Sequence, residues 1–251
     1  MPEEIRTAWV KVPNNSLEID AYLATPIASS GIKTGSIRAG IIVIQEIFGV
    51  NSHIQQVVER LAREGYVAIA PAIFQRTAPG FSVGYSDEDT KLGRVHKDQT
   101  KAAELLSDVS ATIAYLKTLP AMESAAIGTI GFCFGGHVVY LTATLPDVKA
   151  TASFYGAGIA TMTPGGGAPT IAKTPEIKGK LYGFFGTQDP LIPNEQVDQI
   201  EAALQAAEVN HRVFRYAATH GFFCDQRESY NSAAATDAWE HVKELFSRLT
   251  H

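Results

Sequence analysis

The sequence has 251 residues, of which 45% are hydrophobic and 19% charged, and it carries a formal net charge of -5 at pH 7. This composition is ordinary for a globular protein with a sizeable core, and the length allows one large α/β domain or two small ones. Because there is no basic face and no run of Lys and Arg, the sequence argues against a nucleic-acid partner.

The cellular location is inferred from the start of the chain and from its apolar runs. The first residues, MPEEIRTAWV, contain two acids and no apolar core of a secretory signal. No apolar run approaches the roughly 20 residues that span a bilayer. We therefore expect a cytoplasmic protein without a membrane partner, in which Cys133 and Cys224 are free thiols.

Short apolar runs that suit buried strands alternate with segments of helical spacing. The part up to about Ala24 predicts an antiparallel pair at a sheet edge. Further strands are predicted at residues 40–44, 66–70, 127–132, 150–155, 181–185 and 212–216, and helices at 54–63, 102–119, 138–145, 196–207 and 233–249. This alternation predicts a mostly parallel central sheet with helices on both faces.

No internal repeat or linker divides the chain, so residues 1–251 are predicted to form one domain. Two segments are predicted to be loops, at residues 79–91 and 156–175. The second is rich in Gly, Thr and Pro, and a loop of its length is usually functional or mobile. A surface insertion explains it equally well.

The segment GTIGFCFGGHVV, residues 128–139, places Cys133 where a strand turns sharply into a helix. In a nucleophile elbow, small residues two positions before and after the nucleophile prevent side-chain collisions. Gly131 and Gly135 occupy those positions, and the helix start favours a thiolate. The motif alone is equally compatible with a buried, inert cysteine in a glycine-rich turn.

A thiol nucleophile needs a base, and the base needs a group that orients it. In α/β-hydrolases the chain order is nucleophile, acid, histidine, each after a strand. Asp189 follows the predicted strand 181–185, and His220 follows the predicted strand 212–216. Taken singly, an Asp before Pro is common in turns and a lone loop histidine is more often a surface residue. Their order and their positions at strand ends together predict a triad.

The segment QEIFGVN, residues 45–51, directly follows the predicted strand 40–44. At this place the hydrolase fold supplies its second oxyanion donor. The predicted donors are the backbone N–H groups of Ile47 and Phe134. Glu46 places a carboxylate beside the thiol, which opposes a resting thiolate. It is otherwise explained as a solvated acid near a helix start.

With QEIFGVN, GFCFGGH, GTQDP and HGF identified, the chain resembles the dienelactone hydrolases, also called carboxymethylenebutenolidases, over nearly its whole length. The resemblance implies an α/β-hydrolase fold, a triad of Cys133, His220 and Asp189, and no cofactor or metal. It also implies that Glu46 keeps Cys133 as a thiol until an anionic substrate shifts the glutamate, which then takes the proton. In agreement, the sequence shows no histidine pair or cysteine cluster of the kind that binds zinc.

An anionic substrate calls for a cation in the pocket. Arg76 matches a family arginine that holds the substrate carboxylate. The second family arginine lies four residues after the histidine, where this chain has Cys224, and the nearest arginine is Arg227. Arg227 either bends back into the site or pairs with Asp225 on the surface. Because of this departure from the family pattern and the long loop at residues 156–175, the sequence leaves the identity of the substrate open.

The resemblance implies a cysteine-dependent hydrolase of a small anionic lactone or ester that acts through an acyl thioester. The sequence leaves open whether the protein is a monomer or a small homo-oligomer. One alternative is a broader carboxylesterase or thioesterase on the same scaffold. Another is a hydrolase-fold protein that binds a ligand without turnover. Tyr155 and Phe222 either line the pocket or belong to the core, and the sequence leaves open whether Cys224 lies near Cys133.

Overall fold

The computed structural model describes residues 4–27, 38–120 and 122–249, so residues 1–3 of MPEEIRTAWV lie outside the described residues. The described strands are β1 (Ile5–Asn14), β2 (Leu17–Pro26), β3 (Gly40–Ile44), β4 (Val67–Pro71), β5 (Ile127–Phe132), β6 (Val148–Phe154), β7 (Lys180–Gly186) and β8 (His211–Tyr216). They form one sheet in the order β1-β2-β4-β3-β5-β6-β7-β8. The predicted strands are thus all present.

The sheet is mostly parallel, as predicted. β1 pairs antiparallel with β2 at one edge, and β2 joins β4 in antiparallel register. From β4 to β8 the neighbouring strands run parallel. Because parallel strands end at the same edge of a sheet, the segments that follow β3, β5, β7 and β8 meet there. That edge is where the predicted site residues lie.

The α-helices in the described residues are α1 (Ser52–Arg63), α2 (Asp87–Asp98), α3 (Ala102–Lys117), α4 (Phe134–Thr142), α5 (Asn194–Ala206) and α6 (Ser232–Ser247). Five of them match predicted helices, although α4 begins earlier than predicted, directly after Cys133. No helix in the described part of the chain has both the length and the apolar character that crossing a membrane requires.

Helix α2 lies partly in the segment that was predicted to be a loop at residues 79–91, so that prediction is wrong from residue 87 onward. Ser86 and Asp89 form a capping box, in which each side chain accepts a hydrogen bond from the other residue's N–H. The helix has no apolar stripe that would reveal its period, and its one buried residue is Gly93. The predicted loop 156–175 contains most of a 3-10 helix at Thr170–Glu176.

Buried apolar side chains cover both faces of the sheet. Ile41 and Val43 of β3 belong to one cluster, and Ile42 and Ile44 belong to the other, as expected from the alternation of side chains along a strand. Helices α1, α5 and α6 pack in the first cluster and α3 in the second. Helix α4 is buried along its whole length. The prediction of helices on both faces is confirmed.

Candidate active site

Cys133 stands between β5 and α4 in a strained backbone conformation. Its φ is 55° and its ψ is -117°, a backbone conformation that residues other than glycine rarely adopt. A Cβ on Gly131 would lie 2.2 Å from the carbonyl oxygen of Gly135, and a Cβ on Gly135 would lie 2.3 Å from that of Ile44. Only glycine fits at either position, so the turn has the geometry of a nucleophile elbow.

His220 and Asp189 meet at the carboxyl ends of β8 and β7. His220 Nδ1 lies 2.7 Å from Asp189 Oδ2, and both residues are buried. The other carboxylate oxygen of Asp189 accepts a hydrogen bond of 2.8 Å from the N–H of Leu191. His220 Nε2 is buried and forms no hydrogen bond of ordinary geometry, but the imidazole lies close enough to Cys133 for a thiolate there to stabilise its protonated form. The imidazole is therefore oriented by Asp189, and its second nitrogen is available for chemistry.

The protonation of His220 depends on its neighbours. Burial disfavours the imidazolium, but the negative charge of an ionised Cys133 and the hydrogen bond to Asp189 outweigh burial and raise the pKa of His220 to about 10. An imidazolium beside a thiolate is thus the favoured state whenever Cys133 is ionised. The protonation of His220 is therefore coupled to the charge of Cys133.

A cleft of about 400 Å³ opens in front of these residues. Cys133 and His220 line it together with Ile47 and Phe134, the two predicted oxyanion donors. Phe134 is the first residue of α4, where a backbone N–H has no partner within the helix. Cys133 itself is partly exposed in the cleft. The predicted nucleophile, the predicted base and both predicted donor residues therefore surround one space.

Glu46 is a buried acid, and its side chain is only 1% exposed. This excludes the alternative of a solvated acid near a helix start. Its Oε1 accepts a hydrogen bond of 2.9 Å from Arg227 Nη1, whereas its Oε2 is buried without a partner among the described residues. Arg227 therefore bends back into the site and does not pair with Asp225. One carboxylate oxygen remains a buried acceptor.

The path of Arg227 depends on its surroundings. Gly221 has a φ of 81°, and a Cβ there would lie 2.6 Å from Arg227 Nη1. The guanidinium also lies over the rings of Phe48 and Tyr85, at 5.7 and 5.5 Å from their centroids. Burial opposes its charge, but Glu46 and other acidic groups raise the pKa of Arg227 above its ordinary value. Arg227 thus stays charged at the cleft that it lines.

Arg76 lies outside this cleft, so its position gives no support to its expected role in holding the substrate. Its guanidinium is hydrogen-bonded to the carboxylate of Asp108 on α3, and its Nε lies 3.9 Å from Glu104 Oε2. It lines a narrow cavity with these two acids and does not line the cleft. Asp108 is 1% exposed, and a buried carboxylate needs a counter-ion. Arg76 is the counter-ion of Asp108, and this pairing accounts for its position.

Two cations that sequence analysis missed line the cleft from α2. Arg94 and Lys97 are three residues apart and so share one face of the helix. Lys97 Nζ lies 2.7 Å from Asp98 Oδ1, and Arg94 forms no ion pair with any described residue. Once the Ser86–Asp89 capping box is recognised, this spacing is a usable signal. The prediction of a loop over part of this segment concealed it.

Tyr155, which directly follows β6, was left open as a pocket or core residue. It is fully buried, its φ is 35°, and its ring centroid lies 5.1 Å from that of His220. Its hydroxyl has no hydrogen-bond partner among the described residues. Burial, followed by the charges of Glu46 and Cys224, raises its pKa well above the ordinary value. Tyr155 is therefore a neutral side chain packed against His220.

Comparison with known proteins agrees with this geometry. A family model described as the dienelactone hydrolase family matches residues 19–250. A protein from Synechocystis sp. assigned as a carboxymethylenebutenolidase is 57% identical over 247 residues, which cover 98% of each chain. One from Escherichia coli K12 with the same assignment is 31% identical and covers 98% of this chain and 88% of its own.

The fold is also similar to that of solved structures. The crystal structure of a protein from Klebsiella pneumoniae subsp. pneumoniae, assigned as a dienelactone hydrolase, superposes with a TM-score of 0.85. The two sequences are 27% identical, and the alignment covers 98% of this chain and 99% of the other. With the mostly parallel eight-stranded sheet, these similarities confirm the predicted α/β-hydrolase fold.

Proposed function

Because this chain belongs to the dienelactone hydrolase family, we propose that it is a cysteine-dependent hydrolase that opens a small anionic lactone or ester through an acyl thioester. Family membership makes it a hydrolase of carboxylic ester or lactone bonds. The finer proposal is supported by one observation, that Cys133 and His220 share a cleft with three cationic side chains. Those cations are Arg94, Lys97 and Arg227.

Acylation begins when the Cys133 thiolate attacks the lactone carbonyl carbon. A C–S bond forms while the π electrons of the carbonyl move to its oxygen, which the N–H groups of Ile47 and Phe134 stabilise. When the C=O bond re-forms, the ring C–O bond breaks, and the leaving enolate oxygen takes a proton from His220. The product of this step is a thioester that still carries the substrate carboxylate.

Acylation also prepares His220 for the second half of the reaction. Burial favours the neutral imidazole and is opposed chiefly by the charge of Cys133, which the thioester no longer carries. The neutral Nε2 can then accept a proton from water as the water oxygen attacks the thioester carbonyl. The C–S bond breaks and releases the product acid, while Asp189 keeps Nδ1 as the donor.

Glu46 is the acceptor of the thiol proton in this proposal. Arg227 holds Oε1 of Glu46, and Oε2 has no partner among the described residues. A substrate carboxylate that is drawn to Arg227 competes for the guanidinium, so Glu46 loses its counter-ion and becomes a stronger base. Glu46 takes the proton of Cys133, and the new thiolate charge then raises the proton affinity of His220, which receives it. The substrate thus generates its own nucleophile.

The direct test is ring opening of a dienelactone, followed through the loss of its ultraviolet absorbance. Wild type is compared with Cys133→Ala and Cys133→Ser, whose folding is checked by circular dichroism. We expect turnover by wild type, a thioester-linked adduct in quenched samples, and no turnover by either variant. Turnover that survives in Cys133→Ala contradicts the nucleophile, and absence of turnover by wild type contradicts the lactone substrate.

A broader carboxylesterase or thioesterase is the second candidate, and the apolar side of the cleft favours it. Met162 and Leu191 line the cleft and are 36% and 47% exposed. Such surfaces suit an uncharged acyl or alcohol group. Two esters of equal length, one with and one without a carboxylate, separate the candidates. The first candidate requires a higher kcat/KM for the anionic ester, and the second requires similar values for both.

The alternative of a protein that binds a ligand without turnover is tested by alkylation. Cys133 is the partly exposed cysteine and Cys224 is buried. In the proposed mechanism an anion activates Cys133, so its preference for iodoacetate, which carries a carboxylate, over neutral iodoacetamide should exceed that of a free model thiol at pH 7, because the thiolate is the reactive form. The same rates and the same preference as the model thiol would favour ligand binding without turnover.

A further inference from the structure

A cluster of metal-ligating side chains lies outside the triad, and we propose that it binds a thiophilic divalent metal ion of the zinc type. It consists of His53 in the first turn of α1, and Cys224 and Asp225 in the segment that follows His220. One ligand atom from each of the three residues lies within 4.8 Å of the other two. Zinc bonds to these atoms are about 2.0–2.3 Å long, so the ligands need to approach one another by only roughly 1 Å.

The imidazole of His53 is fixed by packing, and one of its nitrogens forms no hydrogen bond with the described residues. The residue is 3% exposed, and its Nε2 is buried without a hydrogen-bond partner among the described residues. Its ring makes edge contacts with Phe132 and Phe223, at centroid distances of 5.6 and 6.2 Å. Buried polar atoms in proteins usually have a partner. A ring fixed in this way is suited to metal ligation, because little side-chain freedom is lost on binding.

Cys224 and Asp225 supply the thiolate and the carboxylate. Cys224 is fully buried, and its thiol donates a hydrogen bond of 3.2 Å to the hydroxyl of Tyr85. Asp225 is exposed, and its carboxylate forms no hydrogen bond or ion pair with any described residue. Metal binding replaces the S–H proton with a metal–sulfur bond, and the proton passes to solvent. Asp225 can turn inward without losing a partner.

A cavity of about 210 Å³ gives access to this cluster. His53 and the exposed Asp225 both line it, so it connects the buried imidazole to the surface. Arg60 lines it as well, but its guanidinium lies over the ring of Trp239, 3.8 Å from the centroid, and leaves the carboxylate unpaired. One sulfur, one nitrogen and one oxygen ligand, with room for a water, match the ligands that zinc prefers. Calcium and magnesium are excluded, because they prefer oxygen ligands alone.

The metal would join α1 to the segment that carries the Glu46 partner, because Arg227 lies two residues beyond Asp225. An ion that binds only the folded chain stabilises it. The family resemblance implied no metal, and the sequence has no local zinc-binding motif that would have pointed to this cluster. His53 and Cys224 are far apart in the chain and are brought together only by the fold.

The test uses the fact that the chain has two cysteines. In the Cys133→Ser protein, any thiolate-to-cobalt charge-transfer absorption must arise from Cys224. We expect Co²⁺ to produce this band with a stoichiometry of one, Zn²⁺ to displace the Co²⁺, and Zn²⁺ to raise the Tm. The band should disappear in the Cys133→Ser/Cys224→Ser protein. Because the readout is independent of turnover, the proposal stands or falls separately from the catalytic one.

Two ligand variants and a matched control complete the experiment, all in the Cys133→Ser background. His53→Gln and Asp225→Asn should each weaken Co²⁺ affinity at least about tenfold, whereas His211→Gln, at a histidine outside the cluster, should leave it unchanged. Asp225→Asn also serves if the Cys224 variant does not fold, because Asp225 is exposed. Absence of the band in the Cys133→Ser protein overturns the proposal. Equal Co²⁺ affinity in the His53, Asp225 and His211 variants also overturns it.

Discussion

The catalytic edge and the substrate wall face the same cleft but are held in different ways. The catalytic edge, Cys133 with Asp189 and His220, is fixed by the backbone at three strand ends and by a buried hydrogen bond of 2.7 Å. The substrate wall is formed by side chains that project from other elements. Arg94 and Lys97 come from α2, and Met162 and Leu191 come from loops.

Because the two regions are held differently, we expect the catalytic edge to determine the class of reaction and the substrate wall to determine which substrate is preferred. A change of side chain at the catalytic edge must preserve a strained turn and a buried pair, and few residues satisfy both conditions. A change at the substrate wall alters charge or size at a partly exposed position and leaves the fold intact. We therefore expect variants of the catalytic edge to lose kcat, and variants of the substrate wall to change KM and preference.

The largest effect is expected for Asp189→Asn. The amide can hold the ring in the wrong tautomer and cannot stabilise the imidazolium, so kcat should fall about 10⁴-fold with little change in KM. Asp198→Asn is the matched control, because its carboxylate is 70% exposed and pairs with Arg215 at 2.7 Å. Steady-state kinetics measure both variants. Equal activity of the two would remove Asp189 from the triad.

A combined effect on stability and binding is expected for Arg227→Met. It leaves the Glu46 carboxylate buried without its counter-ion, which should lower the free energy of unfolding by about 3 kcal/mol in urea denaturation. Anionic substrates should also bind less tightly, with an increase in KM. The double variant Glu46→Gln/Arg227→Met should recover most of the lost stability. If the double variant is no more stable than the single one, the two residues do not form an important pair.

The pKa of His220 provides a third test of the catalytic edge. In the state in which Cys133 is ionised, the pKa of His220 is about 10, above the ordinary 6.5, so the imidazolium charge stabilises that state fully below about pH 6.5, and this contribution is lost as the pH rises through about 10. In Cys133→Ala the thiolate charge is absent, so the pKa should fall by an amount equivalent to at least about tenfold in proton affinity. NMR titration of the imidazole measures it, with both proteins titrated in the presence of an anionic substrate analogue, which in the proposed mechanism keeps Cys133 ionised in wild type. An unchanged pKa would show that Cys133 and His220 are not coupled.

The sequence predicted the fold and the placement of Cys133, Asp189 and His220 at one edge of the sheet, because local patterns encode both. Within the part of the chain that the structure describes, apolar runs and helical spacing located each strand and five of the six α-helices, and glycines flanking Cys133 marked the turn that the structure shows. Asp189 and His220 were located by their position after strands. In a parallel sheet, that position by itself brings residues to the same edge.

The substrate wall was predicted poorly because long-range pairing determines it. Arg76 stands after a strand in a plausible position, yet the buried Asp108 of α3 holds it, and no local pattern reveals that partner. Helix α2 was missed because its sequence, DEDTKLGRVHKD, has almost no apolar side chains. For Arg227 the sequence left two partners open, and the buried Glu46 decides between them.

The smallest predicted effect distinguishes the two arginines directly. Arg94 lines the cleft without an ion pair to any described residue, whereas Arg76 is paired with Asp108 away from the cleft. Arg94→Ala should therefore raise KM about fivefold for an anionic ester, because removing one partly solvated charge contact changes binding by about 1 kcal/mol. It should leave KM for a neutral ester unchanged.

Arg76→Ala should lower stability through the unpaired Asp108 and leave KM for both esters unchanged. The opposite result, with KM sensitive to Arg76 alone, would return Arg76 to the substrate site and leave α2 without a role in selecting anions.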